Sequence, residues 1–193
     1  MSGFNIYLTG VGGQGIGLIS EVLMRAVDHA GLNVMAVDTH GLAQRGGVVV
    51  SQIKTGEELH SPLSFRGEAD IVISLERNEA LRAAITALKD GGTLIYYNTS
   101  WQPLPVRLGS AEEISETSID EYCKKHKIKV IRVDDRELED VRMQNIVVLA
   151  NIDKNNLVPG VTTAHYQEAM GDLLGGAILE KNITLFEEER EAD

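Results

Sequence analysis

The sequence predicts an α/β protein, a three-layer α/β/α sandwich built on a mixed, mostly parallel sheet. Three observations carry that prediction. Short apolar runs rich in Val and Ile alternate with longer stretches of helical period. A glycine cluster separates the first run from the first helical stretch, as in a tight strand-to-helix turn. Hydrophobic residues make up 43% of the chain but aromatics only 5%, so the core must rely on Val, Ile, Leu and Ala.

Taken in order, residues 4–9 (FNIYLT) read as a buried strand and 16–30 as a helix. Ile16, Ile19, Leu23, Ala26, Val27 and Ala30 share one helical face, and Gly31 suits the stop. Residues 33–38 (NVMAVD) are a second strand, so the chain opens with a βαβ unit of parallel strands. The loop 39–47 is too short for another crossover helix, so the strand at 48–55 is expected to run antiparallel to one neighbour. Residues 56–58 read as a turn and 59–64 as a returning edge strand, because Pro62 lacks a donor. A continuous apolar strand (70–75) and a helix (77–89) follow, with Asp90-Gly91-Gly92 as its stop, then a strand at 93–98. Residues 99–118 are irregular and are the best candidate for a partner-contacting segment. A short helix (119–127), a strand (128–133) and helices near 136–151 and 163–181 complete the pattern, the last two separated by Asn155, Asn156, Pro159 and Gly160. The expected organisation is one domain over residues 1–186 and a solvated, frayed acidic tail over 187–193.

The 193 residues carry 18 Lys and Arg against 29 Asp and Glu, a formal charge of -11. That balance argues against nucleic acid, whose binding needs cations to displace counterions, and against anionic membrane surfaces. No apolar run reaches the length of a membrane span and no secretory leader opens the chain, so a cytoplasmic location is expected. One cysteine, Cys123, is too few for an iron–sulfur cluster. Its lysine neighbours Lys124 and Lys125 would lower a thiol pKa, but a structural thiol is the favoured reading.

Gly10, Gly12 and Gly15 satisfy G-x-G-x-x-G, with Gly13 and Gln14 between them, giving a Rossmann-like opening unit. Such a turn lets the backbone approach a ligand closely and aims free N–H groups at an anion. Asp38 ends the second strand, where a dinucleotide fold keeps its ribose-binding acid. A stand-alone NAD(P)-dependent oxidoreductase and a non-catalytic nucleotide-binding or assembly module therefore remain open, as does a purely packing role for the glycines. The second loop adds His40, Gln44, Arg45, Gly46 and Gly47. Arg45 offers paired donors to a carboxylate or phosphate, and an ion pair or a partner contact is an equal reading.

Together the segments GVGGQGIGLISEVLMRA and THGLAQRGGVVVSQIK resemble the gamma-type subunit of the 2-oxoacid:ferredoxin oxidoreductases. The second is most similar to the beta subunit of indolepyruvate ferredoxin oxidoreductase. GEADIVISLERNEALR, QNIVVLANI and KNITLF resemble further family blocks, so the likeness runs from about residue 6 to residue 186. It departs at Ala150-Asn151, and residues 99–127 match no family block.

The resemblance implies a subunit of an enzyme that oxidatively decarboxylates a 2-oxoacid in a coenzyme A-dependent reaction and passes electrons to ferredoxin. It implies thiamine diphosphate, Mg²⁺ and iron–sulfur clusters on a larger partner subunit and no cofactor or metal in this chain. It also implies no activity for the chain alone and leaves open a homo-oligomer when isolated. Within that picture, Gly10, Gly12, Gly13, Gln14, Gly15, His40, Gln44, Arg45, Gly46 and Gly47 would form a cofactor-binding or partner-facing crevice, with no catalytic residue of its own.

Overall fold

The computed structural model describes residues 3–40, 47–101, 108–109, 112–134, 137–138 and 140–192. The first apolar run is β1 (Phe4–Val11), and α1 (Ile16–His29) follows the glycine turn. Ile16, Ile19, Leu23, Ala26 and Val27 are buried as the periodicity requires, and Val22 joins them. Gly31 ends the helix at a φ of 71, with its N–H donating to Asp28 O at 2.8 Å. Next come β2 (Val34–His40), β3 (Val48–Thr55), β4 (Ala69–Ser74), α2 (Arg77–Thr86) and β5 (Leu88–Asn98). The chain continues through α3 (Glu116–Lys125), β6 (Lys129–Asp134), a 3-10 turn (Val141–Met143), α4 (Gln144–Lys154), α5 (Thr163–Leu173) and α6 (Gly176–Glu191).

The six strands lie in the order β2-β3-β1-β4-β5-β6. β1, β4, β5 and β6 pair in parallel, while β3 is antiparallel to both β1 and β2. The parallel strands of the opening βαβ unit are therefore not neighbours. The short link after β2 sends β3 straight back, and β3 fills the gap beside β1 with Ile53 opposite both Ile6 and Ala36. Helices cover both faces. Ile6, Leu8, Ile53, Ile71, Ile73 and Ile95 meet α1, α4, α5 and α6 on one side. Val72, Leu94 and Tyr96 meet α2 and α3 on the other, where Cys123 is also buried. Despite the few aromatics, Tyr96, Tyr97 and Tyr166 are among the largest fully buried side chains.

Four expectations are corrected. Residues 59–64 are not a strand. They are tied to β3 by side chains instead, Ser64 N–H donating to Gln52 Oε1 at 2.9 Å and Lys54 Nζ to Leu63 O at 3.2 Å. The helix expected to end at Asp90-Gly91-Gly92 stops at Thr86, and those three residues belong to β5. Gly91 takes a φ of 75 there, and the β4–β5 register shifts between Ala69 and Ile71, so the glycines serve a bulge. The helix expected over 163–181 breaks at Leu174 and Gly175, both extended. Residues 187–191, expected to fray, continue α6 and pack on α4.

Asp153 of α4 holds that packing. Nearly buried, it accepts from Thr163 Oγ1 at 2.7 Å and pairs with Arg190 Nε at 2.8 Å, so one carboxylate ties α4, α5 and α6 together. Asn151 Nδ2 adds a bond to Glu189 Oε1 at 2.9 Å, and Lys154 Nζ donates to Ala192 O. The Tyr166 and Phe186 rings, 6.1 Å apart, pack between α5 and α6. Asp153→Ala is expected to cost about 3 kcal/mol by leaving Arg190 and Thr163 without their partner. Urea unfolding measures it, and a loss below a few tenths of a kcal/mol would refute the role.

A second buried acid opposes the fold. Glu76 caps α2, accepting from the Glu79 N–H at 2.8 Å and from Asn78 Nδ2 at 2.7 Å. Glu79, 1% exposed, has its carboxyl pushed from 4.5 up to about 7, mainly by burial, with Arg82 opposing and Glu76 adding to the rise. A raised carboxyl pKa means the folded chain holds the proton more tightly than the unfolded one. Ionising Glu79 therefore costs no stability below about pH 4.5, and the cost grows until pH passes about 7. Glu79→Gln removes it and should gain on the wild type by on the order of 2 kcal/mol between pH 5 and pH 8. Parallel pH–stability curves for the two proteins would exclude this account.

Candidate functional site

The glycine turn after β1 sits at a topological switch point. β1 and β4 are parallel neighbours, yet α1 leaves toward one face and α2 toward the other. Diverging connections open a crevice at the carboxyl ends of such strands. Here its floor is filled by the buried side chain of Gln14. Its Oε1 accepts from the Val11 N–H at 2.7 Å, and its Nε2 donates to Leu75 O at 2.6 Å. The Leu75 N–H donates in turn to Thr9 O at 3.0 Å. One amide thus locks the turn after β1 to the end of β4. A Cβ on Gly10 would lie 2.7 Å from Ile16 Cδ1 and 2.9 Å from Gln14 Oε1, so a glycine there serves this packing.

The two glycine motifs meet. The Gly12 N–H donates to Gly47 O at 2.8 Å, bringing the start of β3 against the first turn. Gly15 caps α1 at a φ of 83 and supplies no side-chain cap. A Cβ on Gly15 would fall 2.3 Å from Asn145 Nδ2, which donates to Gly15 O at 3.1 Å. Gln144 Nε2 reaches Gln14 O at 3.5 Å. The first residues of α4 therefore seat on the turn, and Asn145 Oδ1, fully buried there, has no hydrogen-bond partner among the described residues. Trp101, 37% exposed, stands on the outer side, its Cζ3 3.7 Å from a Cβ built on Gly13. Gly13 and Gly17 are exposed, which leaves the first turn of α1 open to an incoming group.

Of the residues expected to form the crevice, Gly10, Gly12, Gly13, Gln14, Gly15 and Gly47 are brought together. Gln14 is a buried tie and not a contact group. His40 ends β2, where its backbone pairs with Val49, and Gln44, Arg45 and Gly46 lie outside the described residues. Gln144, Asn145 and Trp101 were not foreseen. Gln144 and Asn145 fall inside the helix expected near 136–151 and open the block QNIVVLANI, and their partners are 130 residues away.

The dinucleotide reading loses its acid. Asp38 lies on β2, and β3 stands between it and β1, so it is roughly 10 Å across the sheet from the turn's strand. Its partner there is Ser20, whose Oγ donates to Asp38 Oδ1 at 3.5 Å and contacts Ser51 Oγ at 2.7 Å. Cys123 is a structural thiol. Burial, with Asp120 adding, pushes it up to about 11, and the neighbouring lysines do not offset that. A lone buried thiol does not fit an iron–sulfur cluster. Among the described residues no group of three His, Cys, Asp or Glu could hold a metal, and no helix is long and apolar enough to cross a membrane.

Known proteins share this chain's sequence and fold over nearly its whole length. The indolepyruvate oxidoreductase subunit IorB of Archaeoglobus fulgidus is 35% identical over 185 residues, 93% of this chain and 90% of its own. The keto/oxoacid ferredoxin oxidoreductase gamma subunit of Geobacter sulfurreducens shares the fold at a TM-score of 0.67 and 18% identity, covering 97% of this chain and 96% of its own. The 2-oxoglutarate:ferredoxin oxidoreductase of Magnetococcus marinus, solved with 2-oxoglutarate, coenzyme A and succinyl-CoA bound, contains the same fold. There the TM-score is 0.66 and the identity 19%, over 98% of this chain and 31% of that larger one. The family model of pyruvate ferredoxin/flavodoxin oxidoreductases matches residues 5–192. Matched over nearly its whole length, this chain belongs to the pyruvate ferredoxin/flavodoxin oxidoreductase family.

Proposed function

We propose that the chain is the cofactor-free subunit of a cytoplasmic 2-oxoacid:ferredoxin oxidoreductase acting on indolepyruvate or a related aryl 2-oxoacid. The observation that carries the reading is the pair of glycine motifs joined by the Gly12–Gly47 bond over a floor sealed by Gln14. Such a crevice makes a rigid, shallow wall, suited to closing a site whose chemistry lies on another chain. Thiamine diphosphate, Mg²⁺ and iron–sulfur clusters on a larger subunit supply the decarboxylation and carry electrons to ferredoxin. The 35% identity to an indolepyruvate oxidoreductase subunit favours the aryl substrate.

In this reading the chain's own residues position and exclude. The open first turn of α1 offers N–H groups and a partial positive charge to an anion, either a coenzyme A phosphate or a partner carboxylate. Arg45 adds paired donors, Trp101 shields the outer side, and Gln14, with Gln144 and Asn145, keeps the turn from collapsing or rotating. Gly47 holds the second motif against the first turn, and His40, Gln44 and Gly46 are assigned to the same ligand-binding or partner-facing role by their place in that motif.

Purification of the native complex tests the assignment. It should bring down a brown, thiamine-bearing larger chain that reduces ferredoxin with indolepyruvate and coenzyme A, whereas the isolated chain stays inactive. Turnover by the chain alone would refute it. Arg45→Ala in the assembled enzyme should raise the KM for coenzyme A or for the oxoacid by about tenfold, the loss of one charge-assisted contact. Unchanged kinetics with intact assembly would remove Arg45 from ligand binding. Trp101 is the only tryptophan. Its fluorescence should change when the larger subunit or coenzyme A is added, and a constant spectrum would place both elsewhere.

A further inference from the structure

Two clefts adjoin along α6, with volumes of about 520 and 350 Å³ and with Met143 and Lys181 lining both. Ile178, Lys181, Asn182, Leu185 and Glu188 line them from α6, spaced three and four apart, so one helix stripe forms a whole bank. Glu137, Leu138 and, at the 3-10 turn, Asp140 and Arg142 form the other bank, and Leu18, in the first turn of α1, closes the end beside the glycine turn. Single exposed apolar residues are ordinary. Here Ile178, 63% exposed, lines the smaller cleft with Leu18, Met143 and Leu174, and Val141, 55% exposed, lies in the chain between the lining residues Asp140 and Arg142. Leu18, Met143, Leu174 and Ile178 together make an apolar lining of the kind that marks an interaction site.

The charge is one-sided at the far end. Among the described residues, Glu137, Glu180 and Glu188 line the larger cleft against one cation, Lys181. In the smaller cleft Arg142 is already held by Asp140, with Arg142 Nη2 2.6 Å from Asp140 Oδ2. The groove therefore fits a segment that brings apolar side chains at helical spacing and positive charge at one end. In the Magnetococcus marinus enzyme the same fold makes up only part of a larger chain.

We propose that this groove docks an amphipathic helix of the larger subunit, its apolar stripe on Met143, Leu174 and Ile178 and its Lys or Arg residues against Glu137, Glu180 and Glu188. The proposal rests on the reading that such a larger subunit exists. The test measures the affinity of this chain for the larger subunit purified from the same native complex. Ile178→Glu and Val141→Glu should each raise Kd at least tenfold. Both positions are exposed, so the thermal midpoint of the isolated chain should not move. Ile85→Glu, at a 44% exposed position on α2 across the sheet, should leave Kd unchanged. A Glu180→Gln/Glu188→Gln double variant should bind more weakly and with a shallower dependence of Kd on salt. Wild-type affinity in both groove variants would overturn the docking site, and an unchanged salt slope would overturn the basic character of its occupant. If the groove variants abolish only self-association of this chain, a second copy is the occupant and the proposal fails. If the wild-type chain binds no larger subunit, the functional reading falls as well, which separates the two failures.

Discussion

The return of β3 between β1 and β2 is the constraint on which the architecture depends. The link from His40 to Val48 is too short to cross over the sheet, so the strand must run back antiparallel. Its inner residues then fall opposite Ile6 and Ala36, and Ile53 is buried between them. This placement brings Gly47 to the first glycine turn and moves Asp38 away from it. In a fold that opens like a dinucleotide-binding domain, one strand thereby separates the acid at the end of β2 from the glycine turn.

Gln14 does the corresponding work at the switch point. An amide buried without partners is costly, and one with both ends satisfied fixes its surroundings in a single arrangement. The Val11 N–H and Leu75 C=O meet those two ends. The glycines around it answer to packing as much as to any ligand, because side chains at Gly10 or Gly15 would strike Ile16 or Asn145. The exposed surface here lies outside the turn, at Gly13, Gly17 and Trp101.

The acidic surplus is spread unevenly in its consequences. Asp153 is stabilising because Thr163 and Arg190 both reach it. Glu79 is the reverse, a buried carboxylate whose ionisation works against the fold. Around β5 and β6 the acids are consumed locally, since Arg132 meets Glu116 and Asp120 while donating to Tyr96 Oη, and Arg77 donates to Asn98. The carboxylates Glu137, Glu180 and Glu188 instead line an open groove.

The sequence alone determined the strand and helix alternation, the buried face of α1, the stop at Gly31 and the family. Each of these depends on residues near one another in the chain, through periodicity, turn chemistry or motif spacing. It misread the elements whose form depends on distant partners. Asp90-Gly91-Gly92 reads locally as a helix stop but forms the bulge where the β4–β5 register shifts, and residues 187–191 read as frayed because Asp153, Asn151 and Lys154 lie so far upstream. Tertiary structure decided the order of the strands, which carried Asp38 off the site and brought Gln144 and Asn145 onto it. Local pattern encodes which face of an element is apolar, whereas the identity of what covers that face is set only when segments over a hundred residues apart pack together.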